Sequence, residues 1–443
     1  MGVANSIGTQ GIAMGVFTAI VITSSSLIGA LLLLRLWLLA PELKKPRVFG
    51  DFGKLGGGTF LSRVGTAIQF VNFVLFMPVA IDLVADCLKG VGLSTSCSGL
   101  YTLISAGLCL CLTQVRSLPN ASFAAYVTAL IIAAVIIIQL VEVYRNPVEQ
   151  DENSSARWFG NGEKDTSISV IRGTLGATAC IWAYVPSFLT AELTSVMDTP
   201  KDMRKSLYLS ASLNLLTFVL VGTLIAWAWG WDLSDPLTLS SQWINMVDGS
   251  VGSQAMNSLL LFANLTAYML DSIPVTIMFQ KVMFPEFEKK SGSFRSLIEF
   301  FLASLPSWIF AVALALTLPN LFDMLAFATA LTTPWATMVF PAVCFLSFSR
   351  QRSILPTSST YEDSLLSSKL SSEEEEEHSG RRIALIDIDD DVVNDDEVQT
   401  YEIVAAYFAL TVGILSGILC LVAAVGQVAI PELRGNTGVE SFC

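Results

Sequence analysis

The sequence predicts an all-α, polytopic membrane bundle with ten spans. Three observations carry that expectation. First, 53% of the 443 residues are hydrophobic and only 14% are charged, where a soluble domain carries about 25% charged residues. The mean hydropathy is +0.62. No soluble fold of this size hides so many apolar side chains from water, and such a low charge content also excludes a disordered chain. Second, the apolar residues fall into long unbroken runs. A helix needs about 20 residues to cross the ~30 Å hydrocarbon core, whereas barrel strands alternate over about 10. Third, the net charge of −13 is unevenly placed. Residues 351–400 hold 14 of the 38 acids and 4 of the 25 bases, so the other 393 residues stand at −3.

In order, the runs lie near 11–39, 64–85, 98–114, 121–143, 169–191, 206–230, 255–280, 297–318, 321–347 and 402–429. The second ends with Asp82 and Asp86, where an interfacial place is expected. The third holds Cys109 and Cys111, two residues apart and so on different helical faces, a packing pattern and not a metal site. The fifth is interrupted by Pro186, the seventh carries a polar stripe, and the ninth contains Pro341.

Lys and Arg collect on the cytosolic side of membrane proteins. With the 40–63 connection in the cytosol, that side takes 16 bases, among them Lys44, Lys45, Arg47, Lys201, Arg204, Lys205, Lys289 and Lys290. The other side takes six, and the acidic segment holds the remaining three. Both termini are then expected outside or in a lumen, and the acidic segment in the cytosol. The expected organisation is 1–150 and 151–350 for the two halves of the bundle, 351–401 for an acidic disordered insert, and 402–443 for the last helix and a short tail.

Several function classes fall on these grounds. A pI near 4.6 offers no basic patch for nucleic acid. The single histidine, His378, lies in the acidic insert. No nucleophile–base pair or metal-ligand cluster is seen, so an enzyme is not expected. On the outer side, Cys87 and Cys97 bracket the loop 88–96 and are a disulfide candidate in an oxidising compartment, and Asn153-Ser154-Ser155 is a glycosylation sequon. The insert holds Glu373–Glu377 and a second block from Asp387 to Glu397; like charges in such blocks repel and stay solvated. Serines 367, 368, 371 and 372 precede the acids and suit a regulatory segment that meets a cytosolic partner.

Polar or proline-broken helix at bilayer depth is costly unless it lines a site. The run Cys180-Ile181-Trp182-Ala183-Tyr184-Val185-Pro186-Ser187 meets that description, because Pro186 removes a backbone donor and crowds the preceding turn. Carbonyls and amides freed there suit an ammonium, a carboxylate or a cation; an ordinary proline kink is the plain alternative. In Asn264-Leu265-Thr266-Ala267-Tyr268-Met269-Leu270-Asp271-Ser272, residues Asn264, Tyr268 and Asp271 or Ser272 share a helical face. Asp271 is the carboxylate deepest within a run, and a buried carboxylate is either neutral or paired. It is a candidate proton or cation group, with a helix–helix hydrogen bond as the alternative.

The segment Glu192-Leu193-Thr194-Ser195-Val196-Met197-Asp198-Thr199-Pro200-Lys201-Asp202-Met203-Arg204-Lys205-Ser206 resembles the stretch after the broken sixth helix of the amino acid/auxin permease family. That stretch runs Glu, Met, Pro, then a basic-flanked helix start. Leu112-Thr113-Gln114-Val115-Arg116-Ser117-Leu118 is similar to the family's connection between helices four and five; Tyr268 with Pro274 fits its eighth helix and Pro341 its tenth. The resemblance spans about 10–350 and again 402–429. It implies a LeuT-like bundle of two inverted five-helix repeats plus one helix, with the ten runs as helices two to eleven. The segment from Ile7 to Gly15 resembles the junction of the family's first and second helices, so the first repeat is expected to be incomplete. Val185-Pro186 and Ala191 depart from the family pattern, which has small residues at the former and proline at the latter.

The resemblance implies secondary transport of amino acids or close analogues by alternating access, coupled to H+ or Na+, with no other cofactor. Trp182, Ala183, Tyr184, Pro186 and Ser187 are the expected substrate-binding residues, and Asn264, Thr266, Tyr268 and Asp271 the expected coupling or gating residues. The expected setting is multi-pass in the lipid bilayer of the plasma membrane or a vacuolar or endolysosomal membrane. The alternative is a non-transporting sensor or scaffold that signals through the acidic insert.

Overall fold

The computed structural model describes residues 7, 10–40, 45–91, 98–115, 118–145, 173–174, 176–178, 181, 190–197, 199–229, 251–284, 294–317, 321–354 and 399–429. Apart from short turns and connections those residues are helical, with no strand among them. The helices are α1 (Ile12–Leu39), α2 (Phe49–Gly90), α3 (Ser98–Leu112), α4 (Leu118–Arg145), α5 (Thr190–Val196), α6 (Met203–Trp229), α7 (Val251–Met283), α8 (Phe294–Thr317), α9 (Leu321–Pro334), α10 (Phe340–Ile354) and α11 (Thr400–Ala429). A 3-10 turn, Pro200–Asp202, precedes α6, and a π-helical turn, Trp335–Val339, joins α9 to α10.

Seven helices among the described residues are long and apolar enough to cross a membrane: Ile12–Leu39, Phe49–Gly90, Pro200–Leu224, Gly252–Met283, Arg295–Thr317, Ala328–Gln351 and Thr400–Val425. Two shorter apolar helices, Gly99–Leu112 and Tyr126–Val141, fall on the third and fourth expected runs. Most of the fifth run lies outside the described residues, as do Asn153 and residues 355–398 of the expected acidic insert, whose first four residues continue α10. The chain is an integral, multi-pass membrane protein.

The hub is α2, which packs against α3, α7, α8, α9 and α10. It runs antiparallel to α7: the Asn264 amide donates to Cys87 Sγ at 3.5 Å near one end, and Phe70 meets Phe279 edge-on, with centroids 5.5 Å apart, near the other. α1 lies on α6, while α11 covers α9, the π turn and α1. At the end bearing most of the bases, Arg35 of α1 pairs with Glu402 of α11 at 3.0 Å.

Two helix breaks have local causes. Proline has no N–H to give to the carbonyl four residues back. Pro334 therefore leaves the Ala330 carbonyl without its helical donor, and the Trp335 indole N–H takes its place at 3.1 Å. Pro341 does the same to the Thr337 carbonyl, and between these prolines the register widens to the π form. The second break is in α2, at Gly57 (φ −143°, ψ 16°) and Gly58 (φ 77°, ψ −160°). It divides a short helix, residues 49–56, from the long span. The sequence reads all of 40–63 as a connection, because glycines and charges dilute its hydropathy. Asp51 supplies the missing signal, accepting from the Arg47 and Val48 amides at 3.0 and 3.1 Å and so satisfying donors at that helix's start.

Candidate functional site

Apolar packing builds the frame and leaves polar groups facing one another within it. The largest buried cluster, at the basic end, joins Leu33 and Leu36 of α1, Phe49 and Phe52, Phe340 and Phe345 of α10, and Ala406 of α11. A second cluster, farther along α2, holds Met77, Ile81 and Val84 against Tyr101 of α3, Tyr268 of α7 and Ala311 of α8. Polar side chains buried between these layers come chiefly from α1 (Thr23, Ser25, Ser26), α2 (Gln69, Asn72), α7 (Asn257, Thr266, Ser272, Thr276, Gln280) and α9 with the π turn (Thr329, Thr332, Thr333, Thr337).

The hydrogen bonds sort these groups. Some are satisfied by their own helix: Thr23 donates to the Ala19 carbonyl at 2.6 Å, Thr266 to Phe262 at 3.0 Å and Ser272 to Met269 at 2.9 Å. These hydroxyls serve the backbone, as Ser and Thr in apolar helices commonly do. Others join helices. Asn72 Nδ2 donates to Thr332 Oγ1 at 2.6 Å, tying α2 to α9, and Thr332 passes its own proton to the Ala328 carbonyl at 2.7 Å. A third set is buried with no hydrogen-bond partner among the described residues: Asn257 Nδ2 and Oδ1, Tyr268 Oη, Thr276 Oγ1, Gln280 Nε2, Thr329 Oγ1 and Thr333 Oγ1. Each such atom costs about 1–3 kcal/mol of lost solvation, so they mark where this fold has placed polarity against its own stability.

The four expected coupling residues divide accordingly. Asn264 bridges to α2, Thr266 is turned back on its own helix, and Tyr268 is fully buried with its phenol unpartnered. Asp271 is half-buried near the middle of the Gly252–Met283 span. No ion pair among the described residues involves it. Tyr268 and Asp271 stand three residues apart, as neighbours on the helix surface. Asn257, which the sequence reading passed over, stands one heptad before Asn264 and two before Asp271, so the three line a single stripe. Its signal was that spacing. Gln69 and Asn72 were also missed; two amides three residues apart inside an apolar run were their signal.

The five expected substrate-binding residues, Trp182, Ala183, Tyr184, Pro186 and Ser187, lie outside the described residues, as does Cys97. Their neighbours are placed. Ile181 is buried with Ile22 of α1, Ala330 of α9, Met338 of the π turn and Cys420 of α11. Thr178 donates to the Thr174 carbonyl at 2.9 Å and lies 3.5 Å from Cys420 Sγ. Cys87 is a buried free thiol in the last turns of α2, beneath Asn264. Among the described residues no group of His, Cys, Asp or Glu is arranged to hold a metal ion.

Residues 1–357 match the family described as transmembrane amino acid transporter protein. No curated protein matches the chain.

Proposed function

We propose, from the premise that this chain belongs to the transmembrane amino acid transporter family, that it moves its substrate by coupled alternating access between two inverted helix repeats. It is a transporter and not an enzyme, and its substrate and setting are an amino acid and the lipid bilayer. The observation that carries the coupling is the place of Asp271 near the middle of a span, three residues from Tyr268, whose buried phenol has no hydrogen-bond partner among the described residues. A carboxylate at that depth resists ionisation unless a cation or proton accompanies it. Substrate-linked entry of H+ or Na+ there gives the site two states of different charge, the element an alternating-access cycle needs.

The inverted-repeat reading draws support from packing. If α1–α4 correspond to the helices from α6 onward, α1 pairs with α6, α2 with α7 and α3 with α8, and each of these pairs is in contact. Counterpart helices that lie near a two-fold axis relating two repeats meet across it, as these three pairs do. The substrate would sit beside Trp182 and Tyr184, with carbonyls near Ala183 and Pro186 and the Ser187 hydroxyl taking its ammonium. The host is the plasma membrane or a vacuolar or endolysosomal membrane, and the insert's acidic blocks suit a basic cytosolic partner.

The test is uptake into proteoliposomes of a panel of labelled amino acids, with a proton gradient, a sodium gradient or neither. One gradient is expected to accelerate uptake, and Asp271→Asn is expected to abolish that acceleration while exchange of labelled for unlabelled substrate persists. Gradient-driven uptake that is unchanged in Asp271→Asn removes Asp271 from coupling.

A further inference from the structure

We propose that residues 49–56 form a plug that closes the cytosolic end of the bundle, and that they swing out about the Gly57–Gly58 break to open the inward path. This rests on the alternating-access reading, which requires each end of the bundle to close in turn, and on the Lys/Arg asymmetry that puts this end in the cytosol.

The segment has one buried face. Phe49, Gly50, Phe52, Gly53 and Gly56 are buried, whereas Lys54 is exposed and Asp51 half-exposed. Both phenylalanines are wholly buried, and they lie in the one cluster that also contains residues of α1, α7, α10 and α11. Phe49 stacks on Phe340 of α10 with centroids 4.7 Å apart. At Gly56 the backbones touch: an added Cβ would stand 2.5 Å from the Cys344 carbonyl oxygen. The Gly56 carbonyl, at the end of this short helix, accepts from Ser347 Oγ and from Gln351 Nε2 at 2.8 Å. Two aromatic rings and a small set of side-chain hydrogen bonds thus pack the short helix where α1 and α10 themselves meet.

The flanks suit a swinging segment. Gly58 sits at φ 77°, in a region that side chains disfavour, and a Cβ there would meet nothing within 4 Å. At Gly58 the backbone is therefore free and open, as a hinge must be, whereas a Cβ at Gly57 would stand 2.8 Å from Leu61 Cδ2 and Gly53 lies against the Leu61 carbonyl, so a swing of the segment also parts it from the start of the long span. The opposite flank is tied to α1: the Trp37 indole donates to the Pro46 carbonyl at 3.1 Å, and the Lys45 ammonium lies 4.4 Å over the Trp37 ring. Displacement of α1 from α10 would draw the plug with it, so one helix movement parts both contacts at this end of the bundle.

Cys344 reports on the plug, because it is fully buried in the cluster that holds Phe49 and Phe52 and its backbone touches Gly56. The experiment applies a membrane-impermeant maleimide to the cytosolic face of proteoliposomes and reads modification at Cys344 by peptide mass spectrometry. In the resting wild type Cys344 is expected to label slowly. Phe52→Ala is expected to speed labelling by about tenfold or more, since truncating a buried ring lowers the cost of local opening. Gln351→Ala, which removes one of the two donors to Gly56, is expected to act in the same direction more mildly and serves if Phe52→Ala fails to fold. Turnover driven by a mixture of the twenty proteinogenic amino acids is expected to raise wild-type labelling, and Gly58→Ala to suppress that rise. Labelling unchanged in both folded variants overturns the plug whether or not uptake is seen, because those arms need no substrate. Absent uptake with accelerated labelling in the variants retires the transport reading and leaves the gate.

Discussion

Tyr268 concentrates the tension between stability and function in one side chain: a large ring, fully buried where the core is apolar, with a hydroxyl that meets no partner among the described residues. Tyr268→Phe removes the unsatisfied group and keeps the ring. It is expected to raise the thermal stability of the detergent-solubilised protein by about 1 kcal/mol and to lower gradient-driven uptake several-fold, read by scanning fluorimetry and by the proteoliposome assay. A purely structural tyrosine would leave uptake intact. Asn72 makes the opposite case. Its amide is spent on Thr332, so Asn72→Leu is expected to destabilise the protein by about 1 kcal/mol, the usual worth of an interhelical hydrogen bond in a membrane protein. Asn264, Tyr268 and Asp271 were legible because polar residues stand out in an apolar run. Asn257 was not, because it follows Ser253 and Gln254 at the start of a span, where polarity reads as interfacial.

Among elements, α11 shows how one ion pair can set a helix. Glu402 holds Arg35 through Oε1 at 3.0 Å and accepts from the Gln399 amide through Oε2 at 3.1 Å. It is both the cap of α11 and its tie to α1. The two side chains are only 12–17% exposed, so Glu402→Ala leaves a largely buried guanidinium and an uncapped helix. We expect a loss of about 3 kcal/mol, measured by thermal unfolding at fixed detergent and lipid. The π turn follows from prolines visible in the sequence, Pro334 and Pro341, yet it was read as part of one continuous run. Whether an interrupted helix kinks, widens or recruits a side-chain donor depends on neighbours, here the Trp335 indole at Ala330. The short helix at 49–56 was hidden for a related reason. Averaged over a window, Phe49 and Phe52 are outweighed by Gly50, Asp51, Gly53 and Lys54.

At the scale of the whole molecule, charge and transport body separate. The family match ends at residue 357, just before the acids begin. Replacing residues 358–398 with a neutral Gly/Ser linker of equal length removes 14 acids and three bases and moves the net charge from −13 to −2. Isoelectric focusing would register that change. Uptake at saturating substrate is expected to stay within about twofold of wild type, because α11 is held by contacts of its own with α1, α9 and the π turn. A large loss of uptake would place the insert within the transport cycle.

The sequence by itself determined that the chain lives in a membrane, about where it crosses, which end carries the positive charge, and which family its motifs resemble. Each of these is a property of local windows: some 20 apolar residues cross a bilayer whatever lies beside them, and a basic loop resists translocation whatever it later touches. Only the tertiary structure decided which buried polar groups are spent and which stay open. Thr266 is closed by its own turn, Asn72 by Thr332 some 260 residues away, and Tyr268 by nothing among the described residues. It also buried two phenylalanines of an expected loop among side chains of α1, α10 and α11. A hydrogen bond or a buried ring is defined by a partner, and partners so distant in the chain leave no trace in local composition.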